Sequence, residues 1–475
     1  MIADHHKPSA TGFQRSVEPV TRRRLSSDGG TLTAGFIRVY LRLSAVALLL
    51  AAGAAQAILP IQQWQTAGGA RVVFVENHDL PMLDVSVEFP AGAAYDRPEK
   101  SGVASMTNRL LNAGMDGMSE DQIARRLADV GAQLGGRFET DRGGMGLRTL
   151  SSEKERRQAL DVFARILSQP SFPADVLERE KARLIASLKE SDTRPGTIVS
   201  RTFHRLAYGG HPYGLRASGE VDTVGAITRN DLVDFHRRHY AARYAVVALI
   251  GDVTRTEAEA IAEQVTRGLP VAAGDDPVLA PVPSLAAGVT REVAHHASQA
   301  HIMIGAPGVS RSDPDYIALY VGNFVLGGGG FVSRMIEEVR QKRGLAYSAS
   351  SYFYPLLRRG PFVISMQTRR DQAMQALQVA RDTLRDFVAT GPTADELEAA
   401  KQNIVGSFPL RIDSNRKIHE YLAMIGFYRL PLTYLEDFVK QVERVTADEV
   451  RDAFRRRIDP GRLVTVVVAG DAQKQ

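Results

Sequence analysis

Short apolar runs and longer amphipathic stretches alternate along this chain. Arg71 to Val75, Leu83 to Phe89 and His301 to Ile304 are dense in apolar and β-branched residues over a few positions, which predicts strands. Val246 to Asp252 and Val464 to Asp471 read the same way, and both close in Gly-Asp. From Val103 the period changes to that of a helix. Val103, Met106, Leu110 and Leu111 form an apolar stripe, and Ser105, Asn108, Arg109 and Asn112 occupy the opposite face.

The pattern occurs twice. Ala174 to Ser187 matches Ala394 to Ser407 position by position, and Gln158 to Leu160 matches Gln375 to Leu377. Thr228 to Arg238 resembles Thr446 to Arg456, and each leads into one of the Gly-Asp strands. A period of about 220 residues is a doubled domain rather than a solenoid. The Pro/Ala/Gly-rich stretch from Leu269 to Leu285 reads as a linker between residues 58–268 and 286–475. Strands followed by helices, then a closing helix and strand, predict an α+β fold. The expectation is two tandem homologous α/β-sandwich domains, with mixed, largely antiparallel sheets and helices on one face, facing across a cleft.

Composition narrows the function. A chain of 475 residues with 44% hydrophobic residues has a large core and is not disordered. Its formal charge of +5 belongs mostly to the first 57 residues, which hold seven Lys/Arg against three Asp/Glu; the remaining 52 and 51 leave +1. That balance offers no field for nucleic acid. The absence of cysteine excludes thiol catalysis and thiolate metal sites. Leu41 to Ala54 is almost wholly apolar, follows Arg38 and Arg42, and precedes Ala55-Gln56-Ala57, the plan of an export signal. The run falls short of the roughly 20 residues that span a bilayer. Residues 1–57 are therefore read as an export signal region, with a mature periplasmic chain from Ile58; an uncleaved membrane anchor is the alternative.

No histidine lies in His-x-x-Glu-His or His-Glu-x-x-His. His236 and His239 have i, i+3 spacing but flank Arg237 and Arg238, and the second copy has Phe454 and Arg457 instead, which favours a packing or surface role. Gly327 to Gly330 lacks the Gly-Lys-Ser/Thr ending of a phosphate loop. It reads either as a side-chain-free loop along which a peptide could pass or as a simple turn between helices.

Pro90-Ala-Gly-Ala-Ala-Tyr-Asp96, leading through Ser101-Gly-Val-Ala104 into the helix, resembles the start of the pitrilysin/insulinase metallopeptidases. In that family the helix carries His-x-x-Glu-His and a downstream glutamate completes a zinc site, because residues at i, i+3 and i+4 share one helix face. The matching positions here are Ser105, Asn108, Arg109 and Ser187. No ligand and no base remains, and Arg109 sets a fixed positive charge where the metal would sit.

The second copy keeps more of the family. Leu326 to Arg334, then Glu338 to Ser348, is similar to the stretch in which an arginine and a tyrosine hold substrate; that pair maps onto Arg340 and Tyr347. Lys417 to Tyr421 and Tyr434 to Phe438 also look like family sequence. The resemblance implies no catalytic residue and no cofactor in this chain, a homologous partner subunit bearing the zinc motif, and a peptide substrate bound through Arg340 and Tyr347. A guanidinium and a phenol can both donate hydrogen bonds to a peptide carbonyl and to the oxygen that turns negative during hydrolysis. The competing readings are a peptide-holding or scaffold protein outside proteolysis, and an active peptidase with unrecognised ligands.

Overall fold

Central strands of this protein are apolar at consecutive rather than alternate positions, and the architecture follows from that. The computed structural model describes residues 60–272 and 276–470, so the reading of residues 1–57 lies outside the described residues. Strands β1 (Gln62–Gln65), β2 (Arg71–Glu76) and β3 (Met82–Phe89) are followed by a small hairpin, β4 (Gly114–Met115) and β5 (Met118–Ser119). Then come β6 (Gln133–Phe138), β7 (Gly143–Leu150) and β8 (Val246–Gly251). The second half supplies β9 (Val289–Ala294), β10 (Gln299–Pro307), β11 (Ala346–Phe353), β12 (Pro361–Arg369) and β13 (Val464–Ala469).

One sheet runs β1-β2-β8-β3-β7-β6 and the other β11-β12-β10-β13-β9. In the first, β2 lies parallel to β8, and the pairs from β8 through β3 and β7 to β6 are antiparallel. In the second, β9 lies parallel to β13, and the pairs from β13 through β10 and β12 to β11 are antiparallel. The internal repeat is thus reproduced strand by strand; β1 is the addition of the first half. Each copy leaves its third strand, β6 or β11, at a sheet edge.

Each sheet carries its own half's helices on one face. Val72, Phe74, Val247 and Leu249 point to that side in the first half. Their neighbours Val73, Val75, Ala248 and Ile250 point to the other, where they meet Leu422 and Ala423 of the helix Asn415–Tyr428 from the second half. The exchange is mutual. The helix Pro195–Tyr208 of the first half lays Val199, Phe203, Ala207 and Tyr208 on Val464, Val466 and Val468. Runs such as Val72-Val73-Phe74-Val75 are what strands buried on both faces require. The approach is close enough that a Cβ on Gly426 would lie 2.6 Å from Val246 and 2.7 Å from Val73.

Polar contacts pin the exchange. Asp141, fully buried in the turn between β6 and β7, accepts from the Tyr213 hydroxyl at 2.6 Å, the Tyr428 hydroxyl at 3.0 Å and the Leu357 amide at 2.6 Å. Tyr428 ends one exchanged helix, Tyr213 follows the other, and Leu357 belongs to the β11–β12 connection. His419 donates from Nε2 to the Ala248 carbonyl (3.1 Å), while Arg137 of β6 donates to its Nδ1 (3.0 Å). The 269–285 segment has no helix or strand among its described residues, yet it is not loose. Leu279 and Val282 are buried, and the carbonyls of Leu279, Ala280 and Val282 accept from Arg358, His211 and Arg359.

Asp141→Ala leaves two phenols and an amide without an acceptor, at roughly 1–3 kcal/mol each. We expect a loss of about 3 kcal/mol or more, read as a lower chemical-denaturation midpoint; unchanged unfolding would show that the halves do not rely on this carboxylate. A second expectation concerns acid. Burial holds His236, His239 and His419 at about 4, against an ordinary value of 6.5. The unfolded chain therefore binds more protons between those values, and stability present above pH 6.5 is lost as pH falls through 4, by up to about 1.4 kcal/mol per unit for each histidine. His419→Gln should flatten the dependence of unfolding temperature on pH over that interval, and an unchanged slope would refute the assignment.

Candidate functional site

The helix Val103–Leu110 is fixed at its start by Asp96. Gly102 and Ala104 donate their amides to the two carboxylate oxygens at 2.6 and 2.8 Å, and Gly102 takes a left-handed φ of 99° that favours glycine. The predicted stripe of Val103, Met106, Leu110 and Leu111 is buried. The opposite face differs from expectation at one residue: Asn108 is buried, not surface-facing. Its amide donates to the carbonyls of Gly144 (2.8 Å) and Arg137 (3.1 Å), a directly paired couple on β7 and β6, and lies 3.4 Å from the Tyr240 hydroxyl. The side chain thus ties the helix to the edge strand.

Around it, Ser105 is half-buried and Ser187 is exposed on the helix Ala174–Ser191. Arg109 reaches Glu180 at 3.6 Å, a carboxylate that Arg183 and Arg179 also contact, at 2.7 and 3.3 Å. Two hydroxyls, an amide and a guanidinium do not fit zinc, which takes imidazole, thiolate or carboxylate ligands. Among the described residues no group of three or more His, Asp or Glu side chains could hold a metal ion. His236 and His239 are buried, donating to the carbonyls of Leu167 and Pro90 at 2.8 Å each; theirs is a packing role.

Arg340 and Tyr347 come together. Arg340 lies in a π-helical turn, Ile336–Gln341, and Tyr347 stands at a break in register between Ala346 and Ser348 of the edge strand β11. Irregularities of both kinds recur at functional sites, and a bulge re-aims the side chain it carries. The guanidinium sits between two rings, 5.1 Å from the centre of Phe331 and 5.2 Å from that of Tyr347. Such stacking holds the cation without consuming its N–H groups. Glu337, the obvious ion-pair partner in sequence, is taken by Lys342 at 2.9 Å. Among the described residues Arg340 has no hydrogen-bond or ion-pair partner for its guanidinium, and Tyr347 is 78% exposed.

Gly327, Gly328, Gly329 and Gly330 do not form the open loop considered from sequence. A π-helical turn covers Phe324–Gly328 and a 3₁₀ turn Gly330–Val332. A Cβ on Gly327 would lie 2.4 Å from the Ser351 hydroxyl and 2.5 Å from its amide nitrogen, so this glycine lets the turn dock on β11. Asn323 secures the contact, donating to the Ser351 carbonyl (2.9 Å) and accepting from its hydroxyl (2.7 Å). Only Gly330, with φ 62° and open space around it, suits a passing peptide. Asn108, Asn323, Phe331 and Asp141 were not singled out for these roles by sequence reasoning. Their signal lies in long-range contacts that spacing does not carry.

Comparison with known proteins agrees with this geometry. The family profile described as "Insulinase (Peptidase family M16)" matches residues 71–220, and "Peptidase M16 inactive domain" matches residues 226–404. An uncharacterized zinc protease of Streptomyces coelicolor is 26% identical over 85% of this chain and 88% of its own length. The non-peptidase homolog YmxG of Helicobacter pylori is 23% identical over 84% of this chain and 91% of its own. The crystal structure of a peptidase M16 inactive domain from Pseudomonas fluorescens superposes with a TM-score of 0.83 at 37% identity, covering 88% of this chain and 99% of that one. The periplasmic protease PqqL of Escherichia coli shares the fold, with a TM-score of 0.75 at 13% identity over 87% of this chain and 46% of that one. With the zinc-helix positions filled by Ser105, Asn108 and Arg109, and both profiles matched in order, the chain belongs to the insulinase family of peptidases, M16, as a homologue of the inactive type.

Proposed function

We propose that this chain is the non-catalytic, peptide-gripping subunit of a two-chain zinc endopeptidase in the periplasm. The observation that carries the reading is the contrast between its two halves. Arg340 is half-buried and stacked on an exposed Tyr347, and both are free to donate, whereas the Ser105, Asn108, Arg109 and Ser187 positions offer no ligand and no base. In this reading a homologous partner with the His-x-x-Glu-His helix supplies the metal and the base, and this chain supplies the donors.

An extended substrate would pair with an open sheet edge, through backbone hydrogen bonds that do not depend on its sequence. Arg340 and Tyr347 would then hold the carbonyl whose oxygen gains charge, as donors in place before the reaction. Export of the mature chain from Ile58, and the division into domains at residues 269–285, belong to the same proposal. Among the described residues no helix is long and apolar enough to cross a membrane.

The test is zinc content and peptide hydrolysis of the purified chain, alone and mixed with a homologue from the same organism that carries the zinc motif. Hydrolysis should appear only in the mixture, with zinc on the partner. Arg340→Ala and Tyr347→Phe should each lower kcat/KM by about 100-fold, the usual cost of one oxyanion donor, with unfolding temperature little changed because Tyr347 is exposed and the half-buried Arg340 has no hydrogen bond or ion pair to lose among the described residues. Stoichiometric zinc and activity in the chain alone would refute the proposal, and a silent mixture would favour the scaffold role.

A further inference from the structure

The exchanged helices pack mainly on the central strands, and each leaves a bay beside an edge strand on the outer face of its sheet. In the first half the bay beside β6 holds about 330 Å³ and is lined by charged groups, including Arg137, Arg416 and Glu420. Asp84 and Arg148 are already paired there at 2.7 Å. The corresponding bay in the second half, between β11 and the helix Pro195–Tyr208, holds about 510 Å³ and has different chemistry. Its walls include Tyr352, Tyr354, Met303 and Val363 from the sheet side, and His204 and Tyr208 from the helix. Tyr352 and Tyr354 stay 43% and 53% exposed, rings held at the mouth of a pocket rather than buried in the core.

Two features say what would fill it. The first is the outer edge of β11, which pairs with no strand among the described residues and runs beside the pocket, so that its free amides and carbonyls suit an extended polypeptide. On such a strand every second side chain would fall on the face shared by Ser348, Ser350 and Tyr352, over the bay. The second is His204. Its Nδ1–H donates to the Ser200 carbonyl at 2.8 Å, which leaves Nε2 as an acceptor with no partner among the described residues. Burial keeps the imidazole neutral by lowering its pKa. Aromatic walls with this unpaired imidazole acceptor, beside the hydroxyls of Thr140, Ser200 and Ser365 and a Glu139 carboxylate already held by Arg142, match a ring that carries a donor.

We propose that this pocket takes an aromatic side chain, tyrosine by preference, of a polypeptide extended along the free edge of β11. This inference rests on the peptide-gripping reading and adds a substrate class to it: segments with an aromatic residue.

The test uses the mature chain and fluorescein-labelled threonine-rich octapeptides that differ only at one central residue, Tyr, Phe, Leu or Asp, with affinity read by anisotropy. The tyrosine peptide should bind tightest and the aspartate peptide at least tenfold more weakly. Ser365→Trp, which fills the pocket, and Tyr354→Ala, at its exposed rim, should each weaken the tyrosine peptide at least tenfold, while His204→Phe should abolish the preference for tyrosine over phenylalanine. Equal binding of all four peptides, or binding indifferent to Ser365→Trp and Tyr354→Ala, would overturn the pocket and leave peptide gripping intact. No binding of the tyrosine peptide, with an active mixture, would do the same. Selective binding beside a silent mixture would uphold the pocket and remove the protease role. A change of oligomeric state on Ser365→Trp, by sedimentation, would give the bay to a second copy of the chain instead.

Discussion

Everything else in this protein depends on the reciprocal exchange of one helix between its halves. Each sheet has strands that are apolar on both faces, and its own helices cover only one. The second face would expose Val73, Val75, Ala248 and Ile250 on one side, and Val464, Val466 and Val468 on the other. At about 25 cal/mol per Å² of apolar surface, leaving either set in water would cost more than most single interactions in the chain could offset. The exchange solves both exposures at once, and Asp141 sets its register by gathering donors from three separate segments onto one carboxylate.

That constraint also explains how a site can vanish without disturbing the fold. The helix that would carry the zinc ligands is held by its apolar stripe, by Asp96 at its start and by Asn108 toward its end, none of which needs a metal. Asn108 and Asn323 perform parallel tasks in the two halves, each tying the first helix to the edge strand. In the first half this holds a helix face whose zinc-ligand positions are Ser105, Asn108 and Arg109. In the second it supports β11, the strand whose bulge presents Tyr347 to the Arg340 guanidinium.

Much of this was legible in the sequence. The repeat between Ala174–Ser187 and Ala394–Ser407 announced two copies, and the positions of β2, β3, β8, β10 and β13 follow from the apolar runs. The loss of ligands at Ser105, Asn108 and Arg109, and the spacing of Arg340 and Tyr347, can be read directly. What escaped is non-local. The doubly apolar runs carried the sign of a second covering layer, but not which helix supplies it. The burial of Asn108 depends on carbonyls on β6 and β7 that no helical period reveals. The glycine run left an open loop and a simple turn undecided, because its need for close docking against Ser351 depends on a strand more than twenty residues away in sequence.

The proline-rich segment from Leu269 to Leu285 has the composition of a hinge and the contacts of a weld. Its carbonyls are held by arginines of the β11–β12 connection, and two of its apolar side chains are buried between the halves. Swinging the halves apart would unseat both exchanged helices together. Mechanically the two halves are a single lever: a motion that parted them would first have to break all of these contacts.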